Sequence, residues 1–151
     1  MISTLKGSIL LENGSIYDPC NNKNINGAIL LQNGIIKEVG KFTPPKNVKR
    51  INCQGKIIAP GLIDIHAHFR EPGREDKETL ATGALAAFSG GFTRVCVMPN
   101  TNPPLDSPES IRFILEKAAD LPIHIFPIGA ITKRQKGLEI TEIGEMVQAG
   151  A

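Results

Sequence analysis

From residue 62 onward the chain repeats one arrangement three times: a short apolar run, a loop, then apolar residues at helical spacing. LIDIHAHF (62–69) reads as a strand. DKETLATGALAAFSGG follows, with Leu80, Ala84, Leu85 and Phe88 on one helical stripe, Asp76 as N-cap and Gly90-Gly91 as the stop. Phe92 to Met98 is a second strand, rich in valine, and PNTNPPLD is the loop after it. Ser107-Pro108-Glu109 opens the next helix with a capping residue and a proline at the first helical position. Its buried stripe is Ile111, Ile114, Leu115 and Ala118. Leu121 to Ile131 contains a third strand, broken near Pro127, and Thr141 to Gln148 a short helix closed by Gly150. This alternation specifies a parallel α/β sheet, whose strands are normally covered on both faces and whose crossovers are right-handed.

Residues 1 to about 57 follow a different rule. SILL-ENGS-SIY and AILL-QNGI-IIKEV read as hairpins, with Asn13-Gly14 and Asn33-Gly34 supplying the positive-φ residues that tight turns need. Asn26-Gly27 marks another turn, and Pro44-Pro45 interrupts any sheet ladder. Val48 to Ile51 and Lys56 to Ile58 add two short strands. The expectation is a small antiparallel sheet over 1–57 with one apolar face, then an α/β domain over 58–151.

The 17 basic and 15 acidic residues are interspersed, so no charged block is available to hold a phosphate backbone. One Tyr, six Phe and no Trp make a poor stacking platform for bases. Cys20, Cys53 and Cys96 form no CxxC, which argues against a disulfide scaffold or a cysteine zinc site and for a reducing compartment. The N-terminal MISTLKGSILLENGS has no signal-peptide pattern, and no apolar run approaches membrane-spanning length. The expected location is cytoplasmic.

DIHAHFREPG (64–73) carries the chemistry. In an extended strand residues i and i+2 share a side, so His66 and His68 can grip one metal ion, zinc or another late first-row ion. Asp64 falls on the same face one step earlier, where it could orient a ligand or neutralise charge. The pair closes a strand that leads into a helix, where α/β folds place their chemistry. Arg70 continues the alternation with a guanidinium suited to a carboxylate, phosphate or amide-rich substrate, or it forms a salt bridge to Glu71 or Glu75. Asn100 either contacts a substrate at the mouth of the second loop or holds its own turn by an Asx bond. His124 in PIHIF reads as a structural or surface histidine, and ITKRQKG as a solvated loop.

GKIIAPGLIDIHAHFREPG, GGFTRVCVMPNTNPP and IFPIGAITK together strongly resemble the start of a dihydroorotase of the multifunctional-complex type, within the amidohydrolase superfamily that also holds hydantoinases and allantoinases. The resemblance covers essentially the whole chain. It implies a (β/α)8 barrel beside a small β-sandwich assembled from the N-terminal segment and a segment returning after the barrel. It implies that His66 and His68 are zinc ligands, of one or two ions, and that Arg70 and Asn100 hold a substrate carboxylate. The substrate implied is dihydroorotate or N-carbamoyl-aspartate, interconverted reversibly in pyrimidine biosynthesis, with no nucleic acid and no membrane as partner. A homo-oligomer or a complex with aspartate carbamoyltransferase is the assembly implied.

Further metal ligands and the catalytic aspartate lie downstream in such relatives, so no catalytic residue is assigned within the chain. Three of eight βα units are expected here, an incomplete barrel. The expectation is an N-terminal portion of a hydrolase acting on a cyclic amide C–N bond: the parent an enzyme, the chain alone not read as one. An allantoinase- or hydantoinase-like amidase and a non-catalytic or truncated homologue are the alternatives.

Overall fold

The computed structural model describes residues 7–151. The first six, MISTLK, which the sequence reading includes in the hairpin region and finds free of a signal peptide, lie outside the described residues. The chain divides into two compact units that meet in sequence at Pro60 and Gly61.

The first unit is built from seven short strands: β1 (Ser8–Glu12), β2 (Ser15–Asp18), β3 (Lys23–Ile25), β4 (Ala28–Gln32), β5 (Ile35–Gly40), β6 (Lys49–Asn52) and β7 (Ile57–Ile58). One of the two expected hairpins forms. Asn33 (φ 51°) and Gly34 (φ 79°) turn β4 into antiparallel β5, both residues in the left-handed region the turn requires.

The other expected hairpin, at Asn13-Gly14, does not form. β1 and β2 belong to different sheets, ordered β5-β4-β1-β6 and β3-β2-β7. Asn13 is left-handed (φ 64°), yet here the conformation bends one continuous run of chain from the first sheet into the second. β6 and β7 run parallel to β1 and β2 through the same bend. Backbone bonds from Cys53 N–H to Glu12 O (2.8 Å) and from Ser15 N–H to Lys56 O (3.0 Å) carry the pairing around the corner. The single antiparallel sheet expected from sequence is therefore corrected to two small mixed sheets. Leu10, Ile16, Ile29 and Leu30 supply their buried apolar residues.

The second unit contains β8 (Leu62–Ala67), α1 (Leu80–Ser89), β9 (Phe92–Val97), α2 (Pro108–Ala118), β10 (His124–Pro127) and α3 (Ile143–Gln148). The strands make a parallel sheet in the order β10-β9-β8, so each neighbour in space is the neighbour in sequence. Val95 and Val97 of β9 and Ile125 of β10 are buried, packed with Leu80 and Ala84 of α1 and Ile111 and Ile114 of α2. On the other side, register sets Ile63, Arg94 and His124 side by side across the three strands, and all three are exposed. The helices cover one face only, as the incomplete barrel expected from the sequence requires. That is the wall of a barrel, whose helices all lie outside, and not a doubly wound sheet.

Helix α2 begins where its sequence says. The Ser107 hydroxyl accepts the Ser110 N–H, Ser110 returns the bond, and Pro108 occupies the first turn. Helix α1 begins three residues later than expected. Asp76 is not its cap, because that carboxylate pairs with Arg74 at 3.1 Å within a tight turn; Thr79 caps instead, in a reciprocal box with Thr82. Leu85 and Phe88 are each 57% exposed and lie off the buried stripe, which runs through Leu80, Gly83 and Ala84. A side chain at Gly83 would come within 2.7 Å of the Phe69 ring, so α1 passes close to the chain that leaves β8 at a position only glycine fills, with Leu80 and Ala84 buried beside it.

Candidate metal and anion site

The expected site residues cluster at the C-terminal ends of β8 and β9. Strand β8 does not keep strict alternation to its end. Its ladder with β9 pairs Asp64 with Val95 and Ala67 with Val97, three steps against two. A bulge of this kind re-aims side chains and is common beside sites. It also removes the reason for placing Asp64 on the histidine face. Half-buried Asp64 instead accepts the backbone N–H of His66 at 2.9 Å, a bond two residues long that holds the chain through the bulge.

The His66 and His68 rings lie edge to face with centroids 5.1 Å apart, and both are exposed. His68 Nδ1 is 2.8 Å from Asn100 Oδ1, across 32 residues of sequence. With the carboxamide oxygen as acceptor, the bond fits the tautomer that carries its proton on Nδ1 and its lone pair on Nε2. Asn100 thus bonds to the histidine of the neighbouring strand, and its amide nitrogen remains a donor for a further acceptor.

Two more contacts lock the loops after β8 and β9 together. Asn102 N–H donates to Pro72 O at 2.9 Å. Gly73 (φ 94°) lies so close that a Cβ there would sit 2.0 Å from Asn102 O, which only glycine permits.

Arg70, two residues after His68, is half-buried. Neither salt bridge considered for it forms. Glu71, 2% exposed, accepts the Leu80 N–H at the start of α1 (2.7 Å) and pairs with Lys117 of α2. Glu75 takes the Gly73 N–H on both carboxylate oxygens, at 2.9 and 3.0 Å. Those bonds hold its pKa below the usual glutamate range, with its own backbone N–H and Lys117 also lowering it against a small cost of burial and of nearby Asp76. Among the described residues no carboxylate pairs with the Arg70 guanidinium.

Sequence reasoning did not single out Glu71 as a buried anchor, nor Lys117 at all. A signal existed for the lysine: it lies three residues after Ile114 and one before Ala118, at the margin of the buried stripe of α2.

Two imidazoles fit half of a tetrahedral zinc site. Among the described residues no group of three or more His, Cys, Asp or Glu converges as a metal site. Some of the remaining charged side chains pair locally. Asp18 is held below its ordinary range by Asn21, and Lys133 is raised by Glu139, in a loop whose Arg134 N–H reaches Asp106 at 2.7 Å. Among the described residues no helix is long and apolar enough to cross a membrane.

Three βα units of a barrel wall with two histidines at the end of one strand make an α/β chain of barrel type, and comparison with known proteins gives its family. The family model described as "Dihydro-orotase-like" matches residues 55–151, and the chain belongs to that family. A dihydroorotase of Acetivibrio thermocellus is 44% identical over 144 residues, covering 95% of this chain and 34% of that protein. Among solved structures, the L-hydantoinase of Arthrobacter aurescens superposes with a TM-score of 0.78 at 22% identity, over 95% of this chain and 31% of that one. A D-hydantoinase from a Thermus species gives 0.70 at 25% identity, over 93% and 30%. The chain therefore spans about a third of the length of the curated relatives it matches.

Proposed function

We propose that this chain supplies the start of the barrel, two metal-holding histidines and a carboxylate clamp to a zinc-dependent cyclic amidohydrolase, with dihydroorotate and N-carbamoyl-aspartate as its substrate pair. The observation that carries the reading is the His68–Asn100 bond, with Arg70 two residues further on and held by no carboxylate among the described residues. It joins a prospective metal ligand to a prospective substrate contact in one rigid unit.

His66 and His68 would hold the ion, which when bound would supply Lewis-acid polarisation of an amide carbonyl and a more acidic water. The chain's own contribution is orientation. Arg70 offers two parallel N–H donors to a ring carboxylate, and the Asn100 amide adds a neutral one. Fixing the carboxylate fixes the ring relative to His68, because Asn100 touches both. The Asn100 oxygen at His68 Nδ1 would leave Nε2 to hold the ion. Asp64 holds the backbone of His66 from behind. The reading includes a cytoplasmic protein that works as a homo-oligomer or beside aspartate carbamoyltransferase.

The test uses the gene product that carries this sequence, loaded with zinc and assayed on dihydroorotate, allantoin and hydantoin in parallel. Dihydroorotate should be preferred, and Arg70→Ala should raise KM with metal content unchanged. A clear preference for allantoin or hydantoin would move the assignment to those amidases. No turnover of any ring would leave a non-catalytic homologue.

A further inference from the structure

The buried carboxylate of Glu71 has no part in the chemistry just described. It is the nearest acid to Arg70 in sequence, and it is 2% exposed where carboxylates are rarely buried without a partner. Its two oxygens are both committed, one to the Leu80 N–H at the positive end of α1 and one to the Lys117 ammonium. Lys117 is itself half-exposed and reaches in from α2 past the Phe113 ring, whose centroid is 5.5 Å from the ammonium. Glu75, the next acid in sequence, is turned onto the Gly73 N–H.

We propose that Lys117 is a positioning residue for anion recognition: by holding Glu71 against the start of α1, it keeps the adjacent Arg70 guanidinium unneutralised and available to a ligand carboxylate. The inference rests on the reading of Arg70 as a carboxylate clamp, and names a residue remote in sequence on which that clamp depends. A guanidinium paired to its own neighbour would have to break a charge-assisted bond before accepting a ligand. Removing the Lys117 ammonium leaves a buried carboxylate short of one partner, and Arg70 is the cation one residue away.

The experiment titrates the 151-residue chain with orotate, and with uracil as the ring lacking the carboxylate, following the Arg70 side-chain N–H by NMR. In the unaltered chain orotate should move that resonance and uracil should not. Lys117→Met should weaken orotate binding at least fivefold, and Lys117→Arg should restore it. The decisive variant is the double substitution Glu71→Gln with Lys117→Met. It has neither charge, so no carboxylate remains to compete, and orotate binding should return to within twofold of the original.

A folded Lys117→Met chain with unchanged orotate affinity would overturn the proposal. So would a folded double variant that stays as weak as the single one, since the lysine would then act only through packing. If Lys117→Met fails to fold, Lys117→Gln, which also removes the charge, takes its place: weakened orotate binding is expected, and unchanged affinity in a folded Lys117→Gln chain overturns the proposal. The readout needs no turnover. A gene product inactive on every cyclic amide, with these binding results intact, would sink the amidohydrolase reading and leave the Lys117 device standing.

Discussion

His68 on the end of β8 and Asn100 after β9 are joined by a 2.8 Å bond between Nδ1 and Oδ1, so the two βα loops share one polar hinge point. On the proposed reading of His68 as a metal ligand, the bond gives Asn100 a hold on that ligand. Replacing Asn100 by Ala should release the ring and let its proton occupy either nitrogen. Metal affinity should fall by about tenfold to a hundredfold, the range seen when such supporting partners are removed. Zinc titration and the imidazole ¹⁵N shifts of His68 would report it; unchanged shifts would leave the bond without a role.

The histidines themselves should behave as a pair. Substituting either His66 or His68 by Ala in the zinc-loaded gene product should remove at least one equivalent of metal and most activity, with elemental analysis as the direct measure. The 151-residue chain by itself should bind zinc weakly and turn over no dihydroorotate, because two imidazoles leave a tetrahedral ion two ligands short. Tight stoichiometric zinc on this chain would show a ligand set beyond the two rings.

Gly73 tests the lock between the loops. With φ at 94° and Asn102 O only 2.0 Å from where a Cβ would stand, Gly73→Ala must shift one loop against the other. The cost should exceed about 1 kcal/mol, since alanine is strained at positive φ even without the clash. A lower denaturation midpoint is expected, with the His68–Asn100 bond weakened in step. A variant of full stability would mean that the loops move apart freely.

Glu75 gives the site a pH dependence of known sign. Its pKa is depressed from 4.5, first by the Gly73 N–H, so the native chain binds fewer protons here than the unfolded one. The support it lends is present above its ordinary value and is lost as pH falls through the lower, folded value. Acidification in that window should shift the Gly73 amide resonance and loosen the turn, while Glu75→Gln should be insensitive to the same change. Glu75 is fully solvated, so the effect should be local and not a global unfolding.

What was legible in the sequence was local. Asn33-Gly34 turned a hairpin because both residues and both flanking strands lie within a dozen positions of each other. Ser107-Pro108 started a helix because a cap needs only the next three N–H groups. The strand–helix alternation after residue 61, and the placing of His66 and His68 at a strand end, follow from the same short-range periodicity.

Partner choice was decided by tertiary structure. Asn13 adopts the same left-handed conformation as Asn33 (φ 64° and 51°), but β1 pairs with β4 and β6 and not with β2. A positive-φ residue states that the chain turns, not which edge it turns toward. The bulge that separates Asp64 from the histidine alternation arises from register with β9, some thirty residues on. The fate of Glu71 is of the same kind. In sequence it is one acid beside one arginine; burial, and a lysine 46 positions away, turn it from the salt bridge it could have made and leave Arg70 open. Hydrophobic period and capping are written over a few residues, whereas burial and charge pairing depend on which distant surfaces fold onto one another.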